Sequence, residues 1–323
     1  MTSRRRFAAT LLSAAAVAAA PSAWAANDTP IHILVGFPAG GGSDVIARLL
    51  AERLEKELGR TVLVDNRPGA GGQIAAQQLK AARADGTTVF LSHDHSISIL
   101  PQVVKKPGYA PQQDFTPLGG FATFVNGIAV SPGTPVKTVP EYVEWVKAQG
   151  GKSAVGIPAP ASTPEFLVQL IAQRWGLDLV AVPYKGSAPM MADMLGNQIA
   201  AGVGSVQDFI EYQRAGKLRM IGVLGGKRQA AMPDVPTFSE LGVKGLEDTP
   251  FYGIWAPKGT PRTFVDRFSR ALQQVVAQPD VRARLVDLGL TVEYMSPRQL
   301  DQRERAYTKV WSRIIAESGF EPR

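Results

Sequence analysis

The chain has 323 residues, 45% of them hydrophobic, and no cysteine. That is enough apolar material for two domains, and the absence of thiols excludes disulfides, cysteine-ligated zinc, a thiol nucleophile and a lipid-modified cysteine. Basic residues outnumber acidic ones 35 to 28, and with Arg4, Arg5 and Arg6 set aside as leader the figures are 32 and 28, an excess too mild and too dispersed for nucleic-acid binding but suited to capturing anions.

Arg4 to Arg6 form a positive start, and residues 8–20 are an apolar stretch too short to span a bilayer. Ala23-Trp24-Ala25 has the A-x-A form of a cleavage site. These features predict a signal peptide over residues 1–25 and a mature chain exported to the periplasm, soluble and without an anchor of its own. Ser3-Arg4-Arg5-Arg6-Phe7 partly matches a twin-arginine signal, and the general secretory route stays open.

Ile31–Val35 reads as a buried strand. A helix follows, with Ile46, Leu49, Leu50, Leu54 and Leu58 at helical spacing on one face. Residues 61–66 form the next strand, RPGAGG a second glycine turn, 73–82 a helix and 87–92 a third strand. This βαβαβ order implies parallel strands covered by helices. Thr138 and Glu141 have capping-box spacing and open a helix to about Ala148. Strands at 154–157, 178–183, 199–203 and 218–223 then alternate with helices at 164–175, 188–195 and 206–215, a second parallel unit. A Gly/Pro-rich stretch, 225–261, leads back through a strand at 252–256. Helices at 261–277, about 281–288 and 297–316 close the chain. Phe264, Phe268, Leu272 and Val276 mark one buried face there, and Tyr307, Val310, Trp311 and Ile314 another. The first unit, short of helices, is their expected host.

The stretch GFPAGGGSD, residues 36–44, joins the first strand to the first helix. It has the glycine spacing of a Walker loop, but Gly42 stands in place of the lysine. It has two glycines of a dinucleotide fingerprint, Gly40 and Gly42, but Val45 in the third place. What remains is a backbone anion site at a helix N-terminus, which suits a carboxylate. The alternative is a tight turn in which Ser43 is a plain N-cap and Asp44 serves the helix dipole. Small or polar residues also follow the other strands: His93-Asp94-His95-Ser96, Ser162-Thr163, Tyr184 to Ser187, and Gly204-Ser205 with Asp208. Two such strand ends facing each other make a cleft between domains.

His32 reads as a half-buried strand residue. His93 and His95 lack an evident third metal ligand, and neither an H-E-x-x-H nor a G-x-S-x-G motif occurs.

The segments GFPAGGGSDVIARLLAERL, VLVDNRPGAGGQIAAQQL, DFTPLG, VPYKGSAPM, GKLRMIGV, MPDVPTFSELG and APKGTP occur in this order. In these the chain resembles the Bug, or tripartite tricarboxylate transporter receptor, family of periplasmic solute-binding proteins. The resemblance implies an α/β type II periplasmic binding protein fold, with a ligand cleft between two domains built on parallel sheets. Residues 26–126 and 250–323 would share domain 1, and 127–249 would form domain 2. It implies a receptor, not an enzyme, that takes a di-, tri- or aromatic carboxylate and passes it to a membrane permease, as a monomer and without cofactor or metal. The expected ligand-binding set is Phe37, Ala39, Gly40, Gly41, Ser43, Asp44, His93, Asp94, Ser162, Thr163, Tyr184, Ser205 and Asp208. Two departures stand out. Pro158, Pro160 and Pro164 occupy a stretch that is glycine-rich in relatives and have no N–H to donate, so that wall relies on Ser162 and Thr163. The His93-Asp94-His95 cluster stands where small hydroxyl residues are usual. An exported sensor, or an enzyme acting through His93 and His95, are the alternatives.

Overall fold

The computed structural model describes residues 29–322, and the expected leader with its twin-arginine-like start lies outside them. The described residues form two sheets. The first half runs β1 (Ile31–Val35), α1 (Gly42–Leu58), β2 (Val62–Asn66), α2 (Gln73–Ala81), β3 (Thr88–His93), α3 (Leu100–Val103), α4 (Pro111–Asp114) and β4 (Phe115–Thr123). The middle runs β5 (Asn126–Val130), α5 (Val139–Ala148), β6 (Lys152–Ile157), α6 (Thr163–Trp175), β7 (Asp178–Pro183), α7 (Ser187–Leu195), β8 (Ala201–Ser205), α8 (Val206–Arg214) and β9 (Arg219–Val223). The end runs β10 (Phe251–Pro257), α9 (Arg262–Ala277), α10 (Pro279–Asp287), β11 (Thr291–Met295) and α11 (Pro297–Glu317).

The first sheet has the order β11-β4-β10-β3-β1-β2 and the second β7-β6-β8-β5-β9. The first three strands are parallel, as the sequence implies. Neither sheet is parallel throughout, which corrects that expectation. β10 runs antiparallel between β3 and β4, β11 is antiparallel to β4, and β5 is antiparallel to β8 and β9. β5 and β10 are the strands that enter a sheet from the other lobe. Each arrives from the other lobe without a crossover helix of its own, and parallel neighbours need a crossover connection.

Period-two alternation sorts the first core into two layers. Ile31, Ile33 and Val35 of β1, Val89 and Leu91 of β3 and Ile254 of β10 face α1 and α9 through Leu50, Leu54, Phe268 and Leu272. Leu34, Phe90 and Trp255 point the other way, onto Tyr307 and Trp311 of α11. The C-terminal helices therefore lie on the first sheet. Of the residues expected on buried helix faces, Leu49 of α1, Phe264 of α9 and Val310 and Ile314 of α11 are only half-buried, and Ile315 is buried on α11 instead.

β4, β5 and β11 were not legible in the sequence. β4 carries Pro117 and Gly119-Gly120, which read as turn signals. In the fold Gly120 makes room for β11: a Cβ there would sit 2.6 Å from the Met295 side chain. Thr138 caps α5 by accepting from the Glu141 amide at 3.2 Å. Glu141 takes the amide of Lys137 at 2.6 Å, not that of Thr138, so the box is not closed. The closed capping box is at Ser296 and Gln299, opening α11.

The chain passes from the first sheet to the second at Phe124-Val125 and returns through residues 224–250. The two passages touch, the Phe124 amide donating to the Pro250 carbonyl at 3.1 Å.

Candidate functional site

The C-terminal ends of β1 and β3 in one lobe face those of β6 and β8 in the other. The space between is a cavity of about 580 Å³, counting the part open to solvent. Phe37, Gly41, Ser43, His93 and Asp94 line it from the first lobe, and Ser162, Thr163, Ser205 and Asp208 from the second. Four residues of the expected set lie outside it. Ala39 and Gly40 are exposed on the turn. Tyr184 borders a separate groove and donates its hydroxyl to Asp193 at 2.7 Å. Asp44 is buried behind the loop.

The glycine turn is held from within. Asp44 accepts from the Gly40 amide at 2.9 Å, from Arg48 Nε at 3.0 Å and from Asn66 Nδ2 at 3.0 Å. Burial pushes the Asp44 carboxyl up, and these hydrogen bonds outweigh it, so the group titrates below the usual carboxylate range. The Gly41 amide turns to the Pro38 carbonyl at 3.4 Å. Helix α1 begins at Gly42 with Gly41 as its N-cap, so Ser43 is not the cap. The Ser43 amide lies in the first turn of α1, where a helix leaves its N–H groups without an intrahelical partner.

Two polar links join the lobes around the cavity. The Gly42 amide donates to Asp208 Oδ1 at 3.1 Å, and Ser187 Oγ donates to the same oxygen at 2.8 Å. Burial raises the Asp208 pKa above its ordinary value, against the pull of these donors. Gln207 Nε2 donates to the Tyr252 hydroxyl at 2.9 Å, which leaves that proton for Ser43 Oγ, 3.2 Å away. Arg284 of α10 meets Glu211 of α8 at 3.0 Å on the rim. The lobes are thus drawn together.

On the first-lobe wall, His93 Nδ1 lies 3.3 Å from Asp94 Oδ1, and Tyr307 donates to Asp94 Oδ2 at 3.0 Å. The His93 ring stacks on Phe37 with centroids 5.1 Å apart and meets Tyr252 and Phe124 edge-on at 5.5 and 5.9 Å. His95 is buried and neither ring nitrogen has a partner. Burial first, then the neighbouring His93, lowers its pKa to about 4, so it is neutral at pH 7. Across the cavity, Ser162 Oγ donates to the Ala159 carbonyl at 2.6 Å and leaves α6 without a side-chain cap. Thr163 Oγ1 is buried and unpartnered. Among the described residues no group of three His, Asp or Glu side chains is placed to hold a metal ion. No described helix is long and apolar enough to cross a membrane.

Against known families, the model described as "Tripartite tricarboxylate transporter family receptor" matches residues 46–320. The chain belongs to this receptor family. It is similar to a UPF0065 protein encoded in the gbd 5′ region of Cupriavidus necator, 33% identical over 90% of this chain and 88% of that one. Among solved structures, the periplasmic binding protein BugD has 32% identity and a TM-score of 0.85, covering 90% of this chain and 98% of its own. An R. palustris protein solved with adipate has 28% identity and a TM-score of 0.86, covering 91% and 99%. The two-lobed α/β fold is that of these periplasmic binding proteins, and the chain is a solute-binding receptor of a family of receptors, not of enzymes.

In this receptor the cavity also holds residues outside the expected ligand-binding set: Phe124, Asn126, Ala159 and Tyr252, which no local motif announced, and His95, Pro158 and Ser187, which the sequence places in the strand-end stretches of the cleft. Tyr252 stands opposite His93 in the β3–β10 register, a pairing between residues far apart in the chain. Ser187 also opens α7 directly after a glycine.

Proposed function

We propose that the protein captures a small carboxylate between its lobes and delivers it unaltered to a tripartite tricarboxylate-type membrane permease. The observation that carries this reading is the cavity itself, closed by the Gly42–Asp208 and Gln207–Tyr252 links between lobes and offered helix starts from both sides. The Ser43 amide at the start of α1, and Thr163 at the uncapped start of α6, are donors able to meet an anion. Phe37, Gly41, Ser43, His93, Asp94, Ser162, Thr163, Ser205 and Asp208 form the ligand-contacting set, and Asp44 acts on it by shaping the turn. The relative solved with adipate supports a carboxylate as the ligand class.

The functional unit is a monomer. Its first domain comprises residues 26–126 and 250–323, its second 127–249, and it is exported by a signal peptide over 1–25. Hinge closure on the ligand follows from the two adjacent passages between lobes. It acts as a receptor and not as an enzyme, a reading supported by its membership of a receptor family.

A thermal-shift screen of mono-, di-, tri- and aromatic carboxylates, with the amide of each hit as control, tests the reading. A ligand at about 100 times its dissociation constant adds about 2.7 kcal/mol and moves the midpoint by several degrees. The hit should come back chemically unchanged after long incubation. Product that accumulates with time would overturn the receptor reading.

A further inference from the structure

The geometry points to an aromatic monocarboxylate, one negative charge on a flat ring, as the ligand class this cavity selects over di- and tricarboxylates. The inference rests on the carboxylate reading above and narrows it.

Charge comes first. Among the described residues no lysine or arginine lines the cavity, while two carboxyl groups do, Asp94 and Asp208. The imidazole of His95 is buried and neutral at pH 7, so it adds no positive charge. A carboxylate leaving water must find charge or hydrogen-bond donors to replace its hydration. The Ser43 amide in the first turn of α1 and the unpartnered Thr163 hydroxyl are donors on this lining, one from each lobe, and together they match one such group. A second or third carboxylate would meet Asp94 and Asp208 instead, and like charges at close range oppose binding.

Shape gives the rest. The first-lobe wall is a set of rings, Phe37 stacked on His93 with Phe124 and Tyr252 set against its edges. The facing wall carries Pro158 and Pro164, rigid apolar faces without an amide to donate. A slot with aromatic rings on one side and proline rings on the other favours a flat apolar body, whose faces pack on both. A flexible polyol or polyacid chain would leave its polar atoms unmet there.

Calorimetry on the processed protein at pH 7.5 tests this with benzoate, 4-hydroxybenzoate and phenylacetate against malate, adipate and citrate. Benzamide is the uncharged control. At least one ring monocarboxylate should bind tenfold or more tighter than all three polyacids. Malate, adipate or citrate binding best would overturn the inference and leave the carboxylate reading standing. Benzamide matching benzoate, or no acid binding at all, would bring down both. Phe37→Ala should weaken the ring acid at least tenfold. Phe37→Leu, which keeps apolar volume without a stacking face, should give a smaller loss in the same direction. Unchanged affinity in both folded variants would also overturn it.

Discussion

Asp208 accepts a hydrogen bond from the amide of Gly42, a residue 166 positions earlier and on the opposite lobe. The same oxygen is held by Ser187 of its own lobe. One carboxyl group therefore ties the start of α1 to the lobe that must close over the ligand, and it occupies one of the amides that the glycine turn presents. The turn is in this respect part of the closing device as well as a wall of the cavity.

That relationship makes Gly42 a switch between closing and folding. A Cβ at this position would lie 2.7 Å from Gln207 Cγ and 2.8 Å from Asp208 Oδ1, both on the other lobe. The helical backbone at Gly42 accepts alanine, so Gly42→Ala should fold with an unfolding midpoint close to that of the parent. It should close incompletely. Solution scattering should show the liganded variant as less compact than the liganded parent, and affinity should fall tenfold or more, on the order of 1.4 kcal/mol. Normal compaction and affinity would show that the lobes meet differently in solution.

Asp44 supports the turn without facing the cavity. Its carboxylate takes donors from Gly40, Arg48 and Asn66, and an asparagine would turn an N–H group toward at least one of them. Arg48 is more than half exposed, so its share is discounted for solvent screening. Asp44→Asn should cost about 1–3 kcal/mol at pH 7. Because the folded carboxyl titrates below its ordinary value, this contribution is present above about pH 4 and fades as the pH drops below it. Urea unfolding at pH 7 and pH 3 should show the gap between parent and variant shrinking at the lower pH. An equal gap at both would contradict the assignment.

Glu304 works in the opposite direction. It is buried beneath the first sheet, with Trp255 Nε1 donating to its Oε2 at 3.2 Å. Burial pushes its pKa up to about 7, partly offset by the Trp255 bond, with Asp301 adding to the rise. A raised folded pKa gives stability that is fully present below the unfolded value near 4.5 and is lost as the pH rises through about 7. Glu304→Gln keeps an acceptor for the indole and cannot ionise. The stability difference, variant minus parent, should therefore grow from about pH 4.5 to pH 7 and then level off. His95, with its folded pKa lowered to about 4, loses stability as the pH falls from about 6.5 toward 4. It does so in both proteins and cancels in the difference. A flat difference in denaturant midpoints across this range would refute the prediction.

The local grammar of the chain was readable from its residues. The run IHILV, the glycine turn and the helical spacing of Ile46, Leu50, Leu54 and Leu58 announce a strand, a turn and a helix, because burial on one face requires that periodicity wherever the segment ends up. The family motifs add the two-lobed fold. What the sequence left unread is set by partners far along the chain. β4 hides its strand character behind Pro117 and Gly119-Gly120, and β11 packs close against the two glycines. β10 looks like any strand, and its antiparallel direction, like that of the unread β5, comes from the lobe it enters from. The cavity follows the same division. Ser43, His93 and Asp208 stand after strand ends and could be picked out, whereas Tyr252 becomes a wall residue only through its register opposite His93. Asp44 looks like a ligand contact by its place in the motif, yet it is turned inward by Asn66 and Arg48. Periodicity and turn chemistry act over a few residues, and the sequence determines them by itself. Which strand lies beside which, and which side chain faces the gap between lobes, depends on packing between segments that the chain itself keeps apart, in places by more than a hundred residues, and only the tertiary structure decides it.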